Sequence, residues 1–265
     1  MMMLRSRPLP VMSLRPFSSS SKPTPGLVYP GSGIYFWWQA GATRALATRF
    51  DLSRAQYAGT SGGSLAATLA ACGVVDSVRT FDVAWRLCDE CGAFQRGPFG
   101  LYAIWGGIVR EWLDEILPED AHFLCRGRVN VLVRQPFAAA VCVNDFDTRA
   151  DLIDACLASA HVPFFMDGAP FAYFRGGRYI DDDFLGVGRR GGQPALTLPE
   201  WAPFARIAVG RDPRIREMSS KPGGTMALLS RDALLEVIEW GAESVAVRDA
   251  DGDFEVLEPL RIRLD

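Results

Sequence analysis

The chain has 265 residues, 49% of them hydrophobic and 22% charged, with a formal net charge of −3. That length and apolar content suffice to bury a sizeable core without a second domain, and the charge makes no case for nucleic-acid binding. No continuous apolar stretch is long enough to span a bilayer, and the six cysteines sit mostly in apolar runs, as reduced core thiols rather than a disulfide framework.

Taken in chain order, the first fifty residues carry no acidic side chain, while Arg5, Arg7, Arg15 and Lys22 punctuate a stretch that ends Arg15-Pro16-Phe17-Ser18-Ser19-Ser20-Ser21. Such a composition reads as an organellar transit peptide, with processing after Phe17. A mitochondrial or plastid address is expected; otherwise the chain is expected to be cytoplasmic and peripherally associated with membranes. Pro23-Thr24-Pro25 forms a linker, so residues 1–25 are set apart from a catalytic domain over 26–265.

A strand is predicted at 27–29, followed by Gly31-Ser32-Gly33 and a helix at 38–50. A strand at 56–58 then runs into Gly59-Thr60-Ser61-Gly62-Gly63, and the alanine- and leucine-rich run at 64–72 favours a helix. Helices follow at 78–88 and 102–117, strands at 129–134 and 138–144, and a helix at 152–158; a strand at 178–180 belongs to a hairpin. A strand at 205–209 and a helix at 226–239 close the chain. Strands alternating with helices argue an α/β fold, a three-layer αβα sandwich around a mostly parallel central sheet.

The pentapeptide around Ser61 is a G-x-S-x-G elbow, in which the serine occupies a strained strand-to-helix turn and the glycines avoid collision with neighbouring backbone. Ser61 is therefore the candidate nucleophile. A Ser-Asp-His triad is poorly served, because the only histidines are His122 and His161, and Asp76, Asp82, Asp114 and Asp120 all fall in helices or at their edges. A Ser-Asp dyad, with one carboxylate serving as orienter and general base, fits better.

Two further segments make the pattern specific. Gly31-Ser32-Gly33 ahead of an alanine-rich helix resembles the oxyanion loop of patatin-like phospholipases; Ala158-Ser159-Ala160-His161-Val162-Pro163 resembles that family's A-S-x-x-x-P segment. Arg178-Tyr179-Ile180-Asp181 resembles the strand that delivers its catalytic aspartate, and the pattern extends over roughly 26–186. The loop and proline segment most resemble the branch that includes adipose triglyceride lipase and adiponutrin. The family's aspartate motif is D-G-G or D-G-A, whereas this chain has Asp181-Asp182-Asp183; a literal D-G-A at Asp167-Gly168-Ala169 follows the proline too closely. Like-charge repulsion among three carboxylates is expected to raise at least one pKa, and Asp182 and Asp183 are expected to face solvent or a cation.

The resemblance implies hydrolysis of a glycerolipid or phospholipid ester, without cofactor or metal. Asp181 would deprotonate Ser61, and the Gly31, Ser32 and Gly33 amides would bind the oxyanion. Aromatic segments at 35–38 and 94–112 are candidates for core packing or for contact with a membrane or lipid-droplet surface. Three other readings are weighed: a catalytically weak lipid-binding or regulatory relative, disabled by the Asp run; a phosphate-binding loop at Gly31-Ser32-Gly33, lacking the expected Lys-Ser or Lys-Thr; and a zinc site from Cys88, Cys91, His122 and Cys125, whose spacing is a poor match.

Overall fold

The computed structural model describes residues 24–182, 184 and 203–263; the stretch up to Pro23, which the sequence reads as a transit peptide, and Asp183 lie outside the described residues. A five-stranded sheet is built from β1 (Gly26–Tyr29), β2 (Gln56–Thr60), β3 (Val129–Arg134), β4 (Ala140–Val143) and β7 (Phe204–Arg206), while β5 (Ala172–Phe174) and β6 (Gly177–Tyr179) make a separate hairpin. The order is β4-β3-β2-β1-β7, with every pairing parallel except that of β3 with β4. The helices are α1 (Phe36–Ala47), α2 (Gly62–Ala71), α3 (Ser77–Glu90), α4 (Trp105–Ile116), α5 (Ala121–Cys125), α6 (Arg149–Ser159), α7 (Pro213–Ser219) and α8 (Arg231–Ala250). The fold is α/β, a mostly parallel sheet flanked by helices, as the alternation of strands and helices predicts.

Parallel strands covered by helices must be apolar on both faces. Leu27, Tyr29, Tyr57, Val131 and Val133 join the main core on one face, and Val28, Ala58 and Leu132 form a smaller buried cluster on the other. The largest core side chains come from α1 and its neighbours: Trp37 packs on Phe81 and on Trp112 with ring centroids 5.2 and 5.5 Å apart. Trp38 is also fully buried, and its indole N–H donates to Asp212 Oδ2 at 2.9 Å, which satisfies the one polar group of the ring. The aromatic segment at 35–38 is therefore core, not a membrane-facing surface.

The last long helix differs most from its predicted span. Ser230 caps α8 by accepting from Ala233 N–H, so the helix starts at Arg231, and it continues to Ala250 before Gly252 at φ 84° turns the chain. Residues 226–230, apolar enough to read as helix, instead lead into the cap. α8 lies against α1 at a distance that only glycine permits. A Cβ on Gly41 would stand 1.9 Å from the Ile238 carbonyl oxygen, and one on Gly241 would stand 1.9 Å from that of Trp38.

That reciprocal contact makes opposite predictions for the same substitution. Gly41→Ala and Gly241→Ala are each expected to lower the free energy of unfolding by roughly 1–3 kcal/mol through overpacking. Gly107→Ala, in α4 with nothing within 4 Å of the added carbon, is expected to raise it by up to about 1 kcal/mol. Urea midpoints of the three variants check the contrast.

Candidate active site

Ser61 sits between β2 and α2 at φ 53° and ψ −135°, a conformation that L-residues avoid. Such a strained residue costs about 1–3 kcal/mol and persists only where its surroundings hold it. Here the backbone is held from both sides. The Ser61 N–H donates to Ser159 Oγ at 2.9 Å, Ser159 Oγ donates in turn to the Leu132 carbonyl at 2.6 Å, and the Ser61 carbonyl accepts from the Ser64 amide and hydroxyl. The Ser61 side chain makes no capping bond to its own helix.

The glycines around Ser61 are there for backbone contact. A Cβ on Gly63 would lie 2.2 Å from Tyr29 O at the end of β1, and one on Gly59 2.4 Å from Gly63 O. One on Gly62 would lie 2.7 Å from Gly33 O and 3.3 Å from Gly33 N. The elbow therefore rests directly on the loop after β1. In that loop Gly33 takes φ +53° and presses on Thr225, where a Cβ would come within 2.3 Å of the carbonyl oxygen.

Gln39, which no sequence motif singles out, anchors the same loop. Its amide donates to the carbonyls of Pro30 and Ile207, both at 2.9 Å, and its oxygen accepts from Ser32 Oγ at 3.0 Å. Its only sequence signal is a polar residue inside an otherwise apolar helical run. Of the three loop residues expected at the site, Gly33 lines the cleft beside Ser61, while the Ser32 side chain is spent on Gln39. Gly62 lines the cleft as well. Its amide belongs to the first turn of α2, where helical N–H groups have no intrahelical acceptor.

The cleft is an open groove whose walls are mostly apolar, among them Ile34, Phe36, Leu65, Leu101, Trp105, Val109, Phe165, Met166 and Met226. On the segments that rim it, Phe99, Tyr102, Phe164 and Met226 are exposed. Ala103 and Phe164 both take positive φ there, and Ala103 N–H donates to Phe165 O at 2.7 Å.

Asp181 follows β6 and is buried, with 2% exposure. Ile180 N–H donates to Arg134 O at the end of β3, and Asp181 N–H donates to His161 O at 2.7 Å. His161 lies between Ala160 and Val162, which both line the cleft. The carboxylate is thus carried by a backbone tied to the cleft wall.

The other titratable groups are occupied elsewhere. The His161 ring hydrogen-bonds the Ala169 carbonyl at 3.1 Å and lines a separate cavity with Arg110, Asp154, Asp167 and Tyr173. Burial holds its imidazole below the usual pKa, more than the Ala169 bond and the Asp167 charge raise it. Asp167 is exposed and accepts from the Ala169 amide. Asp76 caps α3, Asp82 pairs with Arg231, and Asp114 pairs with Arg149.

Asp182 corrects an expectation. Instead of facing solvent or a cation it is 1% exposed and ion-paired to Arg134 Nε, while its second oxygen is buried without a partner. Arg134 supplies the counter-charge that the Asp181-Asp182 sequence lacks locally, so two adjacent buried carboxylates can be accommodated.

A strained strand-turn-helix serine and a glycine loop lie side by side at an apolar cleft, and a buried aspartate follows a hairpin strand whose backbone is bonded to the segment lining that cleft. The patatin-like phospholipase profile matches residues 27–181, and the chain belongs to that family. It is 33% identical over 165 residues to the human omega-hydroxyceramide transacylase, covering 60% of this chain and 30% of that one. It is 28% identical over 159 residues to the mouse 1-acylglycerol-3-phosphate O-acyltransferase Pnpla3 (58% and 38%), in agreement with the adiponutrin-like branch. It is 31% identical over 163 residues to the human patatin-like phospholipase domain-containing protein 5 (58% and 37%). The chain spans about a third of the length of these relatives.

The Arg134–Asp182 pair predicts an asymmetry. Arg134→Met strands a buried carboxylate and is expected to cost about 3–5 kcal/mol, whereas Asp182→Asn removes the charge from the more buried partner and costs less. Denaturation of the double variant is expected to recover most of the Arg134→Met loss, a coupling that a double-mutant cycle reads directly.

Proposed function

We propose that the chain is a lipid acyl hydrolase of the serine type, with Ser61 as nucleophile and Asp181 as general base. The observation that carries this reading is the strained Ser61 backbone at the floor of an apolar cleft, its hydroxyl unspent on its own helix. Strain maintained by glycine contacts and a buried hydrogen-bond chain is what exposing a nucleophile requires.

In the reaction, the Ser61 hydroxyl proton passes to the Asp181 carboxylate as Oγ bonds to the ester carbonyl carbon. Negative charge develops on the carbonyl oxygen. The Gly33 and Gly62 amides, from residues that line the cleft with Ser61, are the proposed donors to it, each such donor being worth roughly 3 kcal/mol, and Gln39 anchors the Pro30–Ser32 stretch that leads into Gly33. Collapse breaks the bond to the alcohol, which takes the proton from Asp181 and leaves an acyl-serine. Water attacks next and gives a proton to Asp181, which passes it to Ser61 Oγ as the acyl–serine bond breaks and the fatty acid leaves.

An alcohol in place of water turns the same intermediate into an acyl transfer. Relatives named transacylase and acyltransferase support that option. The substrate class is a glycerolipid or phospholipid ester: the cleft walls are apolar, and the exposed Phe99, Tyr102, Phe164 and Met226 on its rim suit contact with a membrane or lipid-droplet surface.

Ser61→Ala is expected to abolish both fatty-acid release from a nitrophenyl ester and ester formation with an added monoacylglycerol, together with labelling by a fluorophosphonate probe. Asp181→Asn is expected to lower turnover about 10³-fold or more, and His161→Ala and Asp167→Asn to lower it far less. A His161 effect equal to that of Ser61 points to a triad instead. Failure of the wild-type protein to label identifies a lipid-binding relative in which the Asp182 substitution has silenced the site.

A further inference from the structure

At the end of α2 farthest from Ser61, two thiols that the acyl chemistry does not use are in contact. Cys72, the C-cap of α2, has its Sγ 3.6 Å from the Sγ of Cys125, the last residue of α5. The pair is uneven, since Cys72 is half-buried and Cys125 is fully buried. Arg128 lies between the two helix ends: its Nη1 donates to the carbonyls of Ala71 and Leu124, the residues immediately before the two cysteines, at 3.4 and 3.2 Å. Its Nη2 is buried without a hydrogen-bond partner. The hydrogen bond with Cys72, and burial, hold the Cys125 thiol well above its usual pKa, against a smaller lowering by the Arg128 charge. Cys156, a third buried thiol near these two, has its Sγ 3.3 Å from Thr68 Oγ1.

We infer that Cys72 and Cys125 are a site of reversible oxidation, at which a hydroperoxide forms a disulfide that ties the far end of the elbow helix to α5 and a thiol reductant releases it. The inference stands independently of the acyl-transfer reading. Exposure decides the order of events, because the thiol that solvent reaches meets the oxidant first. Cys72 Sγ attacks the peroxide, the O–O bond breaks, and the products are Cys72 sulfenic acid and hydroxide, which takes the thiol proton to become water. Cys125, which keeps its proton until its neighbour is oxidised, then attacks the sulfenic sulfur. The S–O bond breaks, and the departing hydroxide carries off the Cys125 proton as a second water. Two thiols have then lost two electrons and two protons, and the peroxide has been reduced to water. A disulfide needs about 2.05 Å between its sulfurs, a shortening that side-chain rotation at two helix ends supplies, where the backbone is least constrained.

The test oxidises the full chain with hydrogen peroxide under native conditions, then unfolds it, blocks the remaining thiols with iodoacetamide and maps its tryptic peptides by mass spectrometry. Cys72, Cys125 and Cys156 fall on separate peptides, 55–79, 111–126 and 150–175. Peptides 55–79 and 111–126 are expected to be joined, with the loss of two hydrogens, and dithiothreitol to separate them. The cross-linked protein is expected to have a urea midpoint about 1 M above that of the reduced protein, since a bond between residues 53 apart restricts the unfolded chain. Cys72→Ser, at the half-buried position, is expected to remove both the joined peptide and the shift, whereas Cys91→Ser and Cys142→Ser, at exposed thiols, are expected to remove neither. Recovery of Cys125 in alkylated form, whatever the state of Cys72, overturns the inference, as does a link from 55–79 to 150–175. A joined pair whose urea midpoint does not rise overturns it too, because the bond would then have formed in chains already opened.

Discussion

Backbone lying directly on backbone at the elbow is the contact on which the rest of the site depends. Gly62 and Gly63 each lack the one carbon that would keep α2 from Gly33 and from the end of β1, and Gly59 lacks the one that would keep β2 from α2. Because that carbon is missing, Gly33 and Gly62, from segments distant in sequence, line one cleft with Ser61. Any side chain at these positions would move α2 as a unit. The spacing of the Gly33 and Gly62 backbones is thereby coupled to the packing of the sheet.

Polar side chains then fix what the glycines bring close. Ser159 passes a hydrogen bond from the Ser61 amide to the Leu132 carbonyl, so the Ser61 backbone is fastened to the neighbouring strand. Gln39 plays the matching part for the loop after β1, reaching Pro30, Ser32 and Ile207 from inside α1. Each bond adds only about 1 kcal/mol net, but all are buried, and losing one would leave a desolvated group unpaired. The result is a rigid backbone around a hydroxyl that remains uncommitted.

The sequence discloses these parts unequally. Ser61 is legible because its constraint is local: glycines at fixed offsets, a strand before and a helix after. The strands and most helices are legible from their apolar runs, and β3 falls at the predicted 129–134. Gln39 is silent because its partners sit nine and 168 residues away. The pairing of Asp182 with Arg134, 48 residues apart, is silent for the same reason, and without it an Asp-Asp dipeptide reads as a solvated turn. The span of α8 was misjudged because hydrophobicity at 226–230 carries no mark that Ser230 would act as the cap. Local rules find the elbow; long-range charge and amide pairing is visible only once the chain has folded.

The contact between α1 and α8 bears on how this chain is divided. The stretch shared with the family stops at residue 181, yet α8 lies beyond it and meets α1 through Gly41 and Gly241. Its Arg248 also reaches the Arg206 carbonyl on β7, the strand that borders β1. A protein cut at the end of the shared stretch would lose the edge strand beside β1 and would leave the backbone of α1 around Trp38 and Ala42 open to water. The boundary of kinship and the boundary of cooperative folding therefore fall at different places along this chain.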